Sequence, residues 1–490
     1  MEKPARKPLN PAEVRRIIIG IMLAMFLGAL DQTIVATALA TIGRDLGDVA
    51  DLSWVITAYL LSSTAVTPLY GKLSDVHGRR VVLLIAISIF VAGSIACALA
   101  PSMLILIVMR AVQGLGGGGL ISLAQTIIAD VVSPKERARF QGYIASVFGL
   151  ASIGGPVLGG VTAEHLHWSL VFWINLPLGV LAYAMTDRAL RGLPRVDRHH
   201  RLDLIGAGLM AGAAVVLMLA LTWGGVVYPW GSVTIVGLLA GSALLWAAFG
   251  WRITVAEQPF LPLSVLFNPV VRFGIMGALL TMGTLIGLCM VVPIYLEAVL
   301  GHSASTAGLM LISLMGAVPL GATTAGRGMA RIEHYKILPL AGCGGAGLLM
   351  ALLALYPAGF GDAGTALLLA VAGFCIGLVL PVTTVAIQNA VPMAQMGTAT
   401  GAMNFFRALG SAVIVAVFSA IFFAGIGATA GDALDLHALA GQMAAQGRDL
   451  AAVFSNVYWA AAGCLGASLV FLGLMEERPL RSSIEPQAAE

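Results

Sequence analysis

The chain alternates between long apolar runs and short polar breaks from near its start to near its end. A bilayer crossing takes about 20 apolar residues. Runs of that order fall at 17–39, 52–70, 81–100, 103–129, 140–162, 170–185 and 204–222. They continue at 233–251, 273–299, 306–324, 337–356, 364–387, 397–427 and 451–475. The pattern predicts an all-α polytopic membrane protein with 14 transmembrane helices, and an even number puts both termini on one side.

Charge placement tests that count. Of the 27 Lys and Arg residues, only Arg44 and Arg448 fall in loops assigned to the outside. Arg110 and Arg407 lie inside spans, and the rest collect at the ends and loops of the opposite side. Such an excess marks the cytoplasm, and a wrong helix count would scramble it. Both termini are therefore cytoplasmic. Composition agrees: 59% of the 490 residues are hydrophobic and 10% charged, against about 25% charged in soluble domains. The five cysteines (Cys97, Cys289, Cys343, Cys375 and Cys464) all sit inside apolar runs. They read as small hydrophobes, with neither disulfide nor metal spacing. Residues 1–16 are polar and basic, and no small-residue cleavage site follows the first run, so that run is expected to be a retained span.

The spans divide into six, two and six. The expected units are a six-helix bundle at 1–195, two inserted linker helices at 196–255, and a six-helix bundle with a cytoplasmic tail at 256–490. Repetition between the two sixes is faint. Gly20-Ile-Met opens the first span and Gly274-Ile-Met the ninth, while the basic stretch 326–336 has no acid to match Asp75. Weak half-to-half symmetry is what a transporter with its site between two pseudo-equivalent bundles displays. The longest outside loop, 428–449, reads as a polar, partly helical connector.

The break at 71–80, GKLSDVHGRR, packs Lys72, Asp75, Arg79 and Arg80 into ten residues of a chain otherwise poor in charge. Gly71 and Gly78 suit a tight turn. Asp75 can cap the next helix or pair with Arg79 or Arg80. A solvated basic loop that only sets topology is the competing reading. The whole string, however, resembles the G-x-L-x-D-x-x-G-R-R/K signature that the major facilitator superfamily carries between its second and third helices.

Further residues bear on chemistry. Asp31 is the one carboxylate well inside a span. An acid near mid-membrane costs ~2.5–3.5 kcal/mol on insertion scales, so it is rarely kept without a partner or a use. Proton carriage is one use, and a permanent ion pair is the alternative. The string around it, LDQTIVATAL at 30–39, resembles the first-helix motif of the fourteen-span drug:proton antiporter group. That resemblance implies a role in proton-coupled export. Arg110 lies at similar depth, and its R-A-V-Q-G string at 110–114 resembles the fourth-helix motif whose Arg is linked to proton transfer. Gly154-Gly155-Pro156-Val-Leu-Gly159-Gly160 is a packing seam with a kinking proline on physical grounds. It also resembles the G-P-x-x-G-G antiporter motif of exporters, and WSLVFWINLPLG at 168–179 is close to the drug-exporter pattern.

Asn404 and Arg407 lie in the thirteenth span, where Arg407 can line a cavity, meet a substrate anion, hold water or snorkel to the inner surface. Met25, Phe26, Gln32, Trp54, Tyr59 and Gln113 are candidates for the cavity wall, with Phe148, Phe405 and Phe406 as further aromatic options. Glu164 and Glu297 read as wetted interface acids.

No G-x-x-x-x-G-K-S/T string occurs, which argues against an ATP-driven pump. The histidines fall in loops or at span ends, against a haem or an H-E-x-x-H metalloprotease. The expectation is a monomeric exporter of the cytoplasmic membrane and no enzyme. It would be driven by the proton gradient without cofactor or metal, and its partners would be small lipophilic cations, protons and the bilayer. Nucleic acid is not expected, and nothing in the sequence supports a periplasmic adaptor. An exporter of one metabolite, lipid or antibiotic is the alternative. A non-transporting scaffold or sensor of the same fold is disfavoured by the intact Asp31, Arg110 and Gly-Pro motif.

Overall fold

The computed structural model describes residues 10–47, 51–191, 202–357, 359–426 and 450–481. The expected boundary at 195/196 and the loop 428–449 lie outside the described residues. The first six spans are α1 (Pro11–Leu46), α2 (Leu52–His77), α3 (Arg79–Ala98), α4 (Met103–Val131), α5 (Pro134–His165), and the pair α6 (Leu170–Trp173) and α7 (Asn175–Leu190). The inserted pair is α8 (Leu204–Trp223) and α9 (Val233–Val255). After the short α10 (Leu263–Leu266) come α11 (Pro269–Ala298), α12 (Ala304–Met329) and α13 (Ile337–Leu355). The last spans are the broken pair α14 (Gly361–Gly377) and α15 (Val379–Asn389), then α16 (Met396–Ile426) and α17 (Leu450–Leu474). Fourteen of the described segments are long and apolar enough to cross a membrane. This is a multi-pass membrane protein.

Polar residues at the breaks start the helices. Asn10 with Glu13, and Ser133 with Glu136, form capping boxes on α1 and α5. Ser102, Ser232 and Ser303 each accept one backbone N–H at the start of α4, α9 and α12. These contacts satisfy amide groups that the first helical turn leaves unpaired.

The half-to-half repetition that the sequence barely carries is plain in the packing. In the first half α1 packs on α5, α2 on α4, and α3 on α7. Eight spans later α11 packs on α16, α12 on α14, and α13 on α17. The tightest of these pairs use glycine against backbone. A Cβ on Gly118 would strike the Ser63 carbonyl, and one on Gly373 the Leu314 carbonyl. The halves meet along two seams, α2 with α16 and α5 with α12, which the same pseudo-symmetry interchanges.

The inserted pair covers one seam only. α8 packs on both α2 and α16, and a cluster of Leu61, Met210, Phe405 and Leu409 fills the joint. Trp54 meets Trp223 edge-on at 5.7 Å, and Trp246 lies 6.3 Å from Phe405.

Candidate transport site and cytoplasmic gate

Five helices converge on Asp31. Its Oδ2 accepts from Arg110 Nη1 at 2.6 Å, and its Oδ1 accepts from Gln113 Nε2 at 2.8 Å and Asn175 Nδ2 at 2.9 Å. Arg110 Nη1 also donates to Gln113 Oε1 at 2.7 Å, which closes a ring of three side chains. Arg110 and Gln113, three residues apart, share one face of α4. Arg110 Nε donates to the Val55 carbonyl of α2 at 3.0 Å, and Asn175 Nδ2 to Ser94 Oγ of α3 at 3.0 Å. The Tyr59 ring covers the guanidinium, with its centroid 4.3 Å from Cζ. Asp31 and Arg110 are 0% and 1% exposed, so the pair is sealed from solvent. Removing either partner of such a pair leaves a bare charge, at a cost of about 3–5 kcal/mol.

The next residue on α1, Gln32, is exposed at the edge of this cluster, beside Tyr59. Gln32, Ala36 and Ala40, spaced by four, are exposed, while Ile34, Val35 and Ala38 on the other face are buried. Phe26 is half-buried against Ala29, Leu30 and Ala151. Met25, expected in the cavity wall, belongs instead to the core of the first half, at 0% exposure. Tyr59 and Gln113 are also enclosed, and they serve the charge cluster rather than a wall. Trp54 packs on the inserted helices. Glu164, with Arg44, Asp45 and His167, edges an outer depression of about 400 Å³.

The cytoplasmic side is shut, and the 71–80 stretch is not the loop it resembles. α2 continues as helix to His77, and the chain turns on Gly78 alone, at φ +89°. Gly71 is therefore not a turn glycine. A Cβ there would strike the Gly397 carbonyl of α16, so its lack of a side chain lets the two halves touch. Asp75 crosses the seam and accepts from Gly397 N at 3.0 Å, Thr398 N at 2.7 Å and Thr398 Oγ1 at 2.7 Å. A carboxylate is well placed at that helix N-terminus, where unpaired amides and the helix dipole favour an anion. Arg79 donates to Asp75 Oδ1 at 2.6 Å and to Asp130 Oδ2 at 2.7 Å, holding the acid in line. Arg80 is no part of this latch, because it pairs with Asp187 of α7 within its own half. At the other seam a Cβ on Gly326 would strike the Ala138 carbonyl, and one on Gly142 would come 2.8 Å from Thr323 Oγ1. That seam has glycine contact but no acid equivalent to Asp75.

Within the Gly-Pro motif only two glycines touch a neighbour. Gly155 and Gly159 pack on Thr33, Ile34 and Thr37 of α1, where a Cβ would meet side-chain oxygens and the Ile34 carbonyl. Gly154 and Gly160 face open space, so Gly160 is not a packing residue. Pro156 points outward on an α5 assigned as one helix throughout. Gly159→Ala is expected to destabilise by ~1–3 kcal/mol through overpacking, and Gly160→Ala to be neutral or gain up to ~1 kcal/mol in helix propensity. Thermal unfolding of the two purified variants checks this. Equal midpoints would sink the packing account.

Comparison with known proteins settles the family. The family model described as Major Facilitator Superfamily matches residues 21–415, most of the chain and every element described so far in this site. The chain belongs to the major facilitator superfamily. A major facilitator-type transporter of Mycobacterium tuberculosis is 34% identical over 414 residues, 84% of this chain and 60% of the relative. The match thus spans only about 60% of that relative's length. The multidrug transporter protein MdtP of Bacillus subtilis is 34% identical over 413 residues, 83% of this chain and 74% of its own. Among solved structures, a human organic anion transporter superimposes with a TM-score of 0.62 at 19% identity. That alignment covers 93% of this chain and 100% of the other, and it is a likeness of fold.

Within this superfamily fold a second polar layer lies between the Asp31 cluster and the gate. Asn404 Nδ2 donates across the halves to Gln125 Oε1 at 2.9 Å. Gln388 Nε2 reaches Thr400 Oγ1 at 3.2 Å and the Gln125 carbonyl at 3.5 Å. Arg407 stays buried in the second half and does not snorkel; its Nη2 donates to Thr384 Oγ1 at 2.9 Å and Thr383 Oγ1 at 3.1 Å. The sequence reading missed Asn175, Asp130, Gln125 and Thr398. Asn175 had a signal, as the only amide side chain in the apolar stretch 170–185. Thr398 had none, because its role exists only once α2 lies against α16.

Proposed function

We propose that this chain exports lipophilic compounds from the cytoplasm by alternating access, exchanging each for a proton carried by Asp31. The observation that carries the reading is the sealed Asp31–Arg110 pair beside an exposed face of α1, above a gate closed on the cytoplasmic side. Family membership and relatives named multidrug transporter and efflux pump support it. In the cycle, a proton arriving from outside neutralises Asp31 and frees Arg110 from its counter-ion. The two six-helix units, 1–195 and 256–490, then rock about the midplane, the Asp75 latch opens, and the proton leaves to the cytoplasm as cargo binds. The proton gradient is the sole energy source, with no cofactor. One net charge moved through 100 mV yields ~2.3 kcal/mol, which at ~1.4 kcal/mol per decade sustains roughly a fifty-fold cargo gradient.

The test is ethidium efflux from cells carrying the chain against cells carrying an empty vector, with and without a proton uncoupler. Efflux above vector that the uncoupler removes is expected. Uncoupler-resistant efflux would sink proton coupling, and efflux equal to vector would sink multidrug export in favour of one dedicated cargo.

A further inference from the structure

Among the described residues, Arg407 is a buried cation without a counter-ion. Its Nη2 donates to Thr383 Oγ1, Thr384 Oγ1 and the Leu380 carbonyl, all neutral acceptors on α15. Its Nε is buried and donates to nothing. No carboxylate lies within ion-pair distance among the described residues, although the side chain is 9% exposed. Arg110 by contrast has Asp31, and Arg79 has both Asp75 and Asp130, while Arg137, also buried, donates to the Val132 and Ala129 carbonyls at the cytoplasmic start of α5. Arg407 is also deep. It stands eleven residues into α16, ~16 Å along the helix from its cytoplasmic start, where a charge is rarely kept without a use.

The charges in the membrane interior therefore do not balance. Arg110 and Arg407 against Asp31 leave an excess of one positive charge, and Asp31 is spent on Arg110. The two threonines hold the guanidinium in place without neutralising it. Thr383 and Thr384 give their own protons to the Val379 and Leu380 carbonyls, so each presents only lone pairs to Arg407. The seam side chains Asn404 and Gln388 lie on the same two helices, so a bound anion would sit where the halves part. A cation held still beside the seam, with a free buried donor, is a built receptor for a single negative charge.

We propose that Arg407 is the docking group for the anionic head of a class of cargo: amphipathic monoanions bearing a carboxylate or sulfonate on a lipophilic body. This rests on the export reading and extends its substrates beyond the cations expected from the sequence. It also has an energetic consequence. Exporting a monoanion against one proton moves two charges in the direction that an inside-negative potential favours, whereas exporting a monocation moves none. Each charge through 100 mV is worth roughly a fifty-fold gradient, so anions are the cargo that membrane potential drives hardest.

The experiment is equilibrium binding of labelled cholate and of its uncharged methyl ester to the full chain in nanodiscs, at neutral pH and without chloride. Cholate is expected to bind the wild type at least tenfold more tightly than the ester. Arg407→Gln is expected to erase that difference, and Arg407→Lys to retain most of it. Equal binding of acid and ester to the wild type overturns the proposal without needing any variant to fold. So does an acid preference that survives in a folded Arg407→Gln, or equal loss in the Gln and Lys variants, which marks a structural role. Displacement of cholate by equimolar chloride would reassign the site to a small inorganic anion. Ethidium efflux tests the export reading separately, so either can fail while the other stands.

Discussion

Asp31→Asn is expected to reduce uncoupler-sensitive ethidium efflux at least a hundredfold, to the level of vector alone. The amide keeps one acceptor oxygen, which can serve Arg110 or else Gln113 and Asn175, and it cannot take up and release a proton. The substitution also strands Arg110 at 1% exposure with no counter-ion, so some stability is lost as well, by about 3–5 kcal/mol for a fully buried pair. Loss of efflux alone would therefore not separate a carrier from a structural acid. The double variant Asp31→Asn with Arg110→Gln separates them. Removing both charges is expected to restore most of the unfolding temperature, since a neutral hydrogen-bonded set replaces a broken ion pair. Efflux should stay absent. If efflux returns together with stability, Asp31 is a structural acid and the proton rides elsewhere, with Glu164 and Glu297 next in line.

How much of this was legible beforehand depends on whether a residue's partner lies near it in the sequence or only in the fold. Helix number and orientation were written in apolar run lengths and in the placement of Lys and Arg, because bilayer thickness and charge act on each segment separately. The pairing of Asp31 with Arg110 was legible for a similar reason: two opposite charges at equal depth have few other partners. Gly71 was misread because its neighbour is Gly397, more than 300 residues away, and a glycine needed for close approach looks the same as one needed for a turn. The end of α2 was placed too early because hydropathy falls at Lys72, while the backbone stays helical on contacts made by Ser74 and Asp75. Arg80 carried the same motif signal as Arg79 and differs only in which acid its side chain reaches. Burial of Arg407 rather than snorkelling turns on Thr383 and Thr384, two residues with no charge to mark them.

The gate yields the second large effect. Asp75→Asn is expected to open the cavity to the cytoplasm and to cut efflux by about one to two orders of magnitude. The carboxylate joins the halves through three bonds from Gly397 and Thr398 and is itself held by Arg79. Hydrogen bonds to a charged group contribute ~1.5–3 kcal/mol each, and an amide keeps one acceptor oxygen while losing the charge that the helix N-terminus favours. A net weakening of ~2–3 kcal/mol shifts the balance between the two gate states about 30- to 150-fold. The pseudo-symmetric seam cannot compensate, since Gly326 on Ala138 provides contact without an ion. The readout is a cysteine at Thr400, which is 0% exposed beneath the latch, in a background lacking the five native cysteines. In inside-out vesicles a soluble thiol reagent should label Thr400→Cys slowly, and at least tenfold faster once Asp75→Asn is added. Gly71→Ala should give the same acceleration by a different route, because its methyl group collides with the Gly397 carbonyl and holds the seam apart. Unchanged labelling in both variants would mean that the halves are held by apolar contact alone and that the acid serves only the fold of its own half.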